Sequence, residues 1–517
     1  MSYWAAAAID RQQVAMFSPT LDSMIGEDHP VRLFDEMLGV LDWSGWEAQY
    51  DGRIGQPPIH PRIVARVILY GLSLGIRSSR ALERATSNAL DFIWLSSGRV
   101  IDHATVCGFR TRFGRELKDL FGQIGRQARR LGLIRLNQVA LDGTRLKASS
   151  SRHGTRAAKS LEGELAALDE QIEVMFAEAE QADGREDEQF GAEGSGNRLP
   201  RELAAASDRR QRLAEALAES QARELDKGQP VAVAVGDPDS TIQPNKEGGF
   251  APNYTPLAAA DGQIGMIVDS EVLADSDEAS QTVATVDRIE ENLGAKPEQL
   301  LADGAHGCGA NLEGLAERGV DAYIPIGQRE DRADNPARRA DPQQPVAEVD
   351  WGKLPVNSRS KTLDRAAFVY DAGGDCYYCP LGHRLDFVMV QDKNRRAGGG
   401  VYRLYRCANC VGCPLGDRCV KSKTGLRTIS RDGQEPLREA MAAKLASAAG
   451  QAVYGRRRSL AETVFGTIKG AMGVRQFLLR GLEKVRIEWT WVCTAFNLAK
   501  LARAIGSLRA RLAGMIS

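Results

Sequence analysis

LNQVALDGTRLKAS, residues 136–149, breaks the helical pattern of everything before it. Val139 and Leu141 recur at a spacing of two in a short run with a β-branched member, the pattern of a buried strand. Asp142 falls within or at the end of that strand. A carboxylate is costly to bury without a partner, so Asp142 is expected to bind a cation or to stand at an exposed strand end.

Upstream, residues 1–137 read as helical. HPVRLFDEMLGVLDW places Val31, Phe34, Leu38 and Leu41 at helical spacing, and HPRIVARVILYGLSL starts behind Pro57 and Pro58 and stops at Gly75. SSRALERATSN restarts with serine caps, and DHATVCGFRTRFGRELKDLFGQIGRQARRLGLI is predicted as one long basic helix. Helix, glycine turn, helix resembles a helix-turn-helix, although an ordinary all-α bundle produces the same pattern. Downstream, two Ala/Glu/Leu-rich runs within 156–226 flank a glycine-rich stretch and predict an inserted helical hairpin. Strand-like sequence then resumes in QPVAVAVGDPDS and QIGMIVDSEVL, followed by a helix (QTVATVDRIEENLG), a strand ending at Asp303 (QLLADGA) and another strand (VDAYIPI). This succession predicts an α/β layered architecture. A polar, proline-bearing stretch and a Cys-rich module come next, and the chain returns to helix at its end.

The 517 residues are 43% hydrophobic and 26% charged, ordinary values for a soluble globular protein and far too many for a small hormone or lone module. No apolar run reaches the ~18–20 residues of a membrane span, and the start lacks the basic and apolar regions of a secretory signal. A cytoplasmic, reducing setting is therefore expected, in which the nine cysteines do not form disulfides. The net charge of −1 averages opposite segments. Between Arg156 and Asp226 lie 18 Asp/Glu and 9 Lys/Arg, whereas from Gln451 to the end there are 12 Lys/Arg and 3 Asp/Glu. A basic end of this kind suits a polyanion, the alternative being a solvated helix surface.

Three acids stand where phosphoryl-transfer chemistry would want them: Asp142 on a strand, Asp303 at a strand end in LLADGAHG, and Glu462 on a late helix. Hard divalent cations take carboxylate oxygens, and a pair of them activates the attacking oxygen and stabilises the leaving one. The plainer alternative makes Asp142 and Asp303 the openers of Asp-Gly turns and Glu462 a surface residue. Lys469 lies seven residues after Glu462, close to two helical turns, so both project from nearly the same face. Six cysteines cluster: Cys376, Cys379, Cys407, Cys410, Cys413 and Cys419. Their Cys-x-x-Cys knuckles suit a tetrahedral Zn²⁺ site, with Cys376, Cys379, Cys407 and Cys410 as the favoured set, Cys413 and Cys419 as replacements for the latter pair, and His383 as a weaker candidate. An iron–sulfur cluster is the second option, from the spacing of Cys407, Cys410 and Cys413. The isolated Cys107, Cys308 and Cys493 are expected to be core residues.

VALDGTRLKA, LLADGAHG with LAERGVDAYIPI, and YGRRRSLAETVFGTIKG with LRGLEKVRIEWTWVCTAFNLAKL resemble the three blocks of bacterial insertion-sequence transposases of the DDE class, in the branch with a Cys-rich insertion before the glutamate helix. The resemblance implies an α/β fold: an RNase H-like catalytic core interrupted by a helical hairpin and a small Cys-rich module, behind an N-terminal all-α domain. It implies domains at 1–137 (DNA binding), 138–330 (first part of the core, hairpin 156–226), 331–430 (linker and zinc module) and 431–517 (core helices with the glutamate). Asp142, Asp303 and Glu462 would hold Mg²⁺ or Mn²⁺, and Tyr454, Arg457 or Arg458, and Lys469 would contact DNA. Arg458 fits the family's arginine-to-glutamate spacing better than Arg457, and Pro252, Asn253 and Tyr254 stand where the family commonly has Gly-Tyr-Asn. The implied activity is cleavage and joining of double-stranded DNA at the element's ends, by a homo-oligomer near the bacterial nucleoid. A non-catalytic DNA-binding regulator and a metal-dependent nuclease without strand transfer are the alternatives.

Overall fold

The computed structural model describes residues 19–50, 57–190, 201–245, 248–326, 334–357, 360–392, 401–421 and 424–516. The chain is mixed α/β, with an N-terminal helical region and sheets after it. It divides into two compact units, one of Met1–Ile124, Gly470–Gly473 and Thr490–Ser517, the other of Gly125–Lys469 and Val474–Trp489.

In the first unit the predicted helices form with side-chain caps. His29 and His60 accept from the backbone N–H groups of Val31 and Arg62, each just ahead of a proline at the first helical position. Ser78 and Asp102 cap Ser79–Asn88 and His103–Arg112 in the same way. The long basic helix expected from Asp102 onward is instead two, His103–Arg112 and Gly114–Arg130. The chain breaks at Phe113, which leaves the helical region to join an aromatic core of Trp46, Phe109 and Trp491. Burial of that ring sets the break, which a periodicity argument does not register.

The second unit is built on a sheet whose principal strands are β1 (Gln138–Gly143), β2 (Phe250–Asp261), β3 (Ile267–Leu273), β4 (Gln299–Leu301) and β5 (Asp321–Tyr323). Their order is β3-β2-β1-β4-β5; β2 is antiparallel to β1 and β3, and β1, β4 and β5 are mutually parallel. Val139, Ala140 and Leu141 are all buried, as strands covered on both faces require. The β1–β4 register pairs Val139 with Leu300 and Ala140 with Leu301. Asp142 and Asp303 each follow two residues beyond the last pair, so parallel pairing alone brings them to the same end of the sheet.

The hairpin forms as helices Ala158–Phe190 and Arg201–Lys227, held by Leu161, Leu165, Leu168 and Leu213 and by a short ladder between Thr155–Arg156 and Val233–Ala234. Nearby, the Tyr254 hydroxyl donates to the buried Asp237 Oδ1 at 2.6 Å, and the same oxygen accepts from Gly481 N at 3.0 Å. Tyr254→Phe leaves that carboxylate short of a donor and is expected to destabilise the protein by about 1–3 kcal/mol, read as a lower midpoint in urea with an unchanged slope. An unchanged midpoint would show that Gly481 N suffices.

The Cys-rich region contains a sheet the sequence did not announce: β6 (Val369–Asp371), β7 (Cys376–Tyr378), β8 (Arg384–Asp392), β9 (Val401–Cys407) and β10 (Thr428–Arg431), antiparallel and in chain order. After it come helices Glu435–Ala446, Ala448–Lys469 and Leu482–Ile516. Ala448–Lys469 buries Ala461, Val464, Phe465 and Ile468 on one face, and Phe465 stacks on Trp489. Of the three isolated cysteines only Cys493 is a core residue; Cys107 and Cys308 are exposed, on a helix and at a helix start.

Candidate active site and cysteine cluster

Strand β1 delivers Asp142 and the turn after β4 delivers Asp303, whose Oδ1 accepts from Ala305 N at 2.9 Å and caps the short turn Gly304–His306. Helix Ala448–Lys469 brings Arg457 between them. Its Nη2 lies 2.9 Å from Asp142 Oδ1 and 3.7 Å from Asp303 Oδ2. Tyr454, one turn earlier, packs with Ala140, Leu301 and Tyr323, and burial pushes its hydroxyl pKa up although Arg457 beside it acts the other way. At the helix end Lys469 Nζ donates to Thr144 Oγ1 at 2.5 Å and to Arg145 O at 3.2 Å.

Of the arginine pair, then, it is Arg457 that meets the aspartates. Arg458 projects to solvent and pairs with Glu462 one turn on, at 3.0 Å, with the two side chains 82% and 64% exposed. The structure thus brings together Asp142, Asp303, Arg457 and Tyr454, sets Lys469 against the end of β1, and leaves Glu462 in an exposed i,i+4 pair. Glu462 and Arg457 are five residues apart, roughly 140° around the helix at 3.6 residues per turn, so one phase cannot point both at the aspartates.

Two further groups reach this centre. Glu278 lies against Gly143, where a Cβ would come within 2.3 Å of Glu278 Oε2, so any residue but glycine would displace the carboxylate. Burial pushes the Glu278 pKa up to about 7, with the negative charges of Asp303 and Asp142 adding to it. His306 is fully buried, 3.8 Å from Glu278 Oε2 and 3.9 Å from Asp303 Oδ1 through Nε2. Burial lowers its pKa, opposed by Asp303. Glu278 carried no sequence signal; His306 carried one, the histidine three residues after Asp303 in LLADGAHG.

The cysteines divide unequally. Cys379, Cys407, Cys410, Cys413 and Cys419 line one small apolar cavity of about 20 Å³ together with His383. Cys379 accepts from the backbone N–H groups of Leu381 and His383, Cys407 from that of Asn409, and Cys410 from Arg427 N at 3.4 Å. Burial nevertheless pushes the Cys419 thiol up to about 11 and the Cys407 thiol up to about 12. Cys376 is buried elsewhere, among Tyr378, Arg384 and Asp371, because strand alternation turns it away from Cys379. Among the described residues no three His, Cys, Asp or Glu side chains are drawn together closely enough to hold a metal as they stand.

Residues 378–502 match the family described as the transposase DDE domain, and residues 19–112 match the transposase domain DUF772. Two separate regions of the chain are thus similar to transposase domains, the later one to the DDE domain. A comparison with curated proteins returned no match. The first match takes in Tyr454, Arg457, Glu462, Lys469 and the five cysteines around the cavity; the second takes in Ser79–Asn88 and His103–Arg112. Asp142 and Asp303 lie outside both, and geometry alone connects them to the matched helix. Such domains imply an enzyme that cleaves and joins DNA. No helix among the described residues is long and apolar enough to cross a membrane.

Proposed function

We propose that the protein is a transposase that cuts and joins double-stranded DNA at the ends of its own insertion sequence, by in-line phosphoryl transfer in an RNase H-like core and as a homo-oligomer on DNA in the cytoplasm. The observation that carries this reading is the meeting of Asp142 and Asp303, from adjacent parallel strands, at the single guanidinium of Arg457. A cation already favoured between two carboxylates marks a place where positive charge is stabilised, and hard oxygen donors suit Mg²⁺ or Mn²⁺. Asp142 and Asp303 would hold the metal, and Glu462 would join them on giving up its solvent-exposed bond to Arg458. Two bound divalent cations supply activation of the attacking oxygen and stabilisation of the leaving one. Arg457 and Lys469 then neutralise phosphate oxygens, and Tyr454 fixes the helix against β4 and β5. The helices Ser79–Asn88 and His103–Arg112 read the end sequence, and a structural Zn²⁺ takes four of the five thiols around the small cavity.

The test is incubation of the protein with Mg²⁺ and DNA carrying the element's flanking ends, with cleaved and joined products resolved. Joined product supports the reading; cleavage without joining makes the protein a nuclease, and binding without either makes it a regulator. Lys469→Ala is expected to lower the slope of log affinity against log salt by about 0.9, since one phosphate contact releases about that many counterions. Affinity should fall for all sequences alike, leaving end selectivity intact. An unchanged slope would assign Lys469 to holding the end of β1 rather than DNA.

A further inference from the structure

The buried imidazole of His306 is the least explained group near the aspartates. Its Nδ1 lies 2.8 Å from Thr282 Oγ1, which donates to the Ala279 carbonyl at 2.9 Å and accepts from Asn311 Nδ2 at 2.9 Å. A hydroxyl has one hydrogen to give, so with that hydrogen on Ala279 the ring proton sits on Nδ1. Nε2 is then a bare lone pair, fully buried and, among the described residues, without a hydrogen-bond partner. It is aimed at Glu278 Oε2 and Asp303 Oδ1, 3.8 and 3.9 Å away. A lone pair facing two carboxylates repels them unless something positive comes between, and an unsatisfied buried acceptor is costly. These separations are too long for hydrogen bonds. An ion with bonds of ~2.1 Å can bridge donors up to about twice that distance apart.

We propose that Glu278 and His306 are further ligands of the divalent-cation site, Glu278 supplying a carboxylate beside Asp142 and Asp303 and His306 supplying Nε2 as the side chains, too far apart to hold a metal as they stand, close on the ion. The proposal rests on the assignment of Asp142 and Asp303 to metal. Gly143 is the structural counterpart: without a side chain it lets the Glu278 carboxylate lie directly against the strand that bears Asp142. Thr282 and Asn311 hold the ring in the tautomer that a metal-bound histidine needs, as outer partners of such ligands do. The Glu278 side chain comes from the Glu278–Gln281 turn that follows β3, so the site draws on three connections of one sheet.

Mn²⁺ serves as the probe on the full chain, by calorimetric titration and pulsed electron paramagnetic resonance. The expected result is a nitrogen modulation from a directly bound imidazole in the wild-type protein, altered by ¹⁵N-histidine labelling and lost in His306→Gln. Glu278→Gln is expected to weaken Mn²⁺ binding by roughly 10–100-fold. Thermal melts establish that each variant folds, and Glu278→Asp, which keeps the charge and retracts the carboxylate, is the second variant should the first not fold. The nitrogen signal needs no substitution and so stands whatever the variants do. Asp303→Asn separates the two levels of the argument. If it abolishes binding while Glu278→Gln binds like wild type and no imidazole modulation is seen, this proposal is overturned and the aspartate assignment survives. If Asp303→Asn also binds normally, the aspartate assignment itself fails.

Discussion

Asp142→Asn, Asp303→Asn and Glu462→Gln are each expected to reduce DNA cleavage by about a thousand-fold or more, equivalent to ~4 kcal/mol of barrier, while DNA binding is largely retained. Each substitution keeps the shape of the side chain and removes the charge that a cation requires. The three differ in what else they disturb. Asp142 and Asp303 neighbour Arg457, so their loss also frees a guanidinium to hold DNA, and binding is compared directly in the same assay at several salt concentrations. Among the described residues Glu462 is bonded through an exposed pair of the kind worth little to stability, so Glu462→Gln costs the fold almost nothing. A large loss of cleavage in that variant therefore reports chemistry, and means that the glutamate leaves Arg458 when DNA and metal are bound. Full activity in any one variant would remove that residue from the triad.

The second large effect concerns the cysteine cluster. About one Zn²⁺ per chain is expected, and Cys379→Ser or Cys410→Ser should release it and unfold the β6–β10 sheet, because structural zinc in small modules contributes about 10–16 kcal/mol. That exceeds the whole stability of many domains. Cys376→Ser should retain the metal, since Cys376 points away from the cavity that the other five line. Burial holds the Cys407 and Cys419 thiols protonated, so metal binding there expels protons and zinc retention should weaken as pH falls. Elemental analysis with far-UV circular dichroism checks both parts. Iron with visible absorbance would replace zinc by a cluster, and loss of metal in Cys376→Ser would place that residue back among the ligands.

Much of this protein is local information and was legible as such. Helix periods, serine and aspartate caps, the Ala/Glu/Leu hairpin, the strand at Val139–Leu141 and the spacing of the cysteines all depend on residues within a turn or two of one another. The three acids could be picked out because each interrupts or closes such a pattern. Tertiary packing decided the rest. Parallel register set Asp142 level with Asp303, and the phase of one helix, fixed by the burial of Ala461, Val464 and Ile468, chose Arg457 over Arg458 and turned Glu462 outward. Strand alternation separated Cys376 from the other five, and the burial of Phe113 against Trp46 and Phe109 split a helix that composition would have continued. Glu278 and His306 entered the centre only because a glycine on β1 leaves room and a hydroxyl orients a ring. Sequence period fixes which face a residue occupies; only packing between distant segments fixes what that face meets.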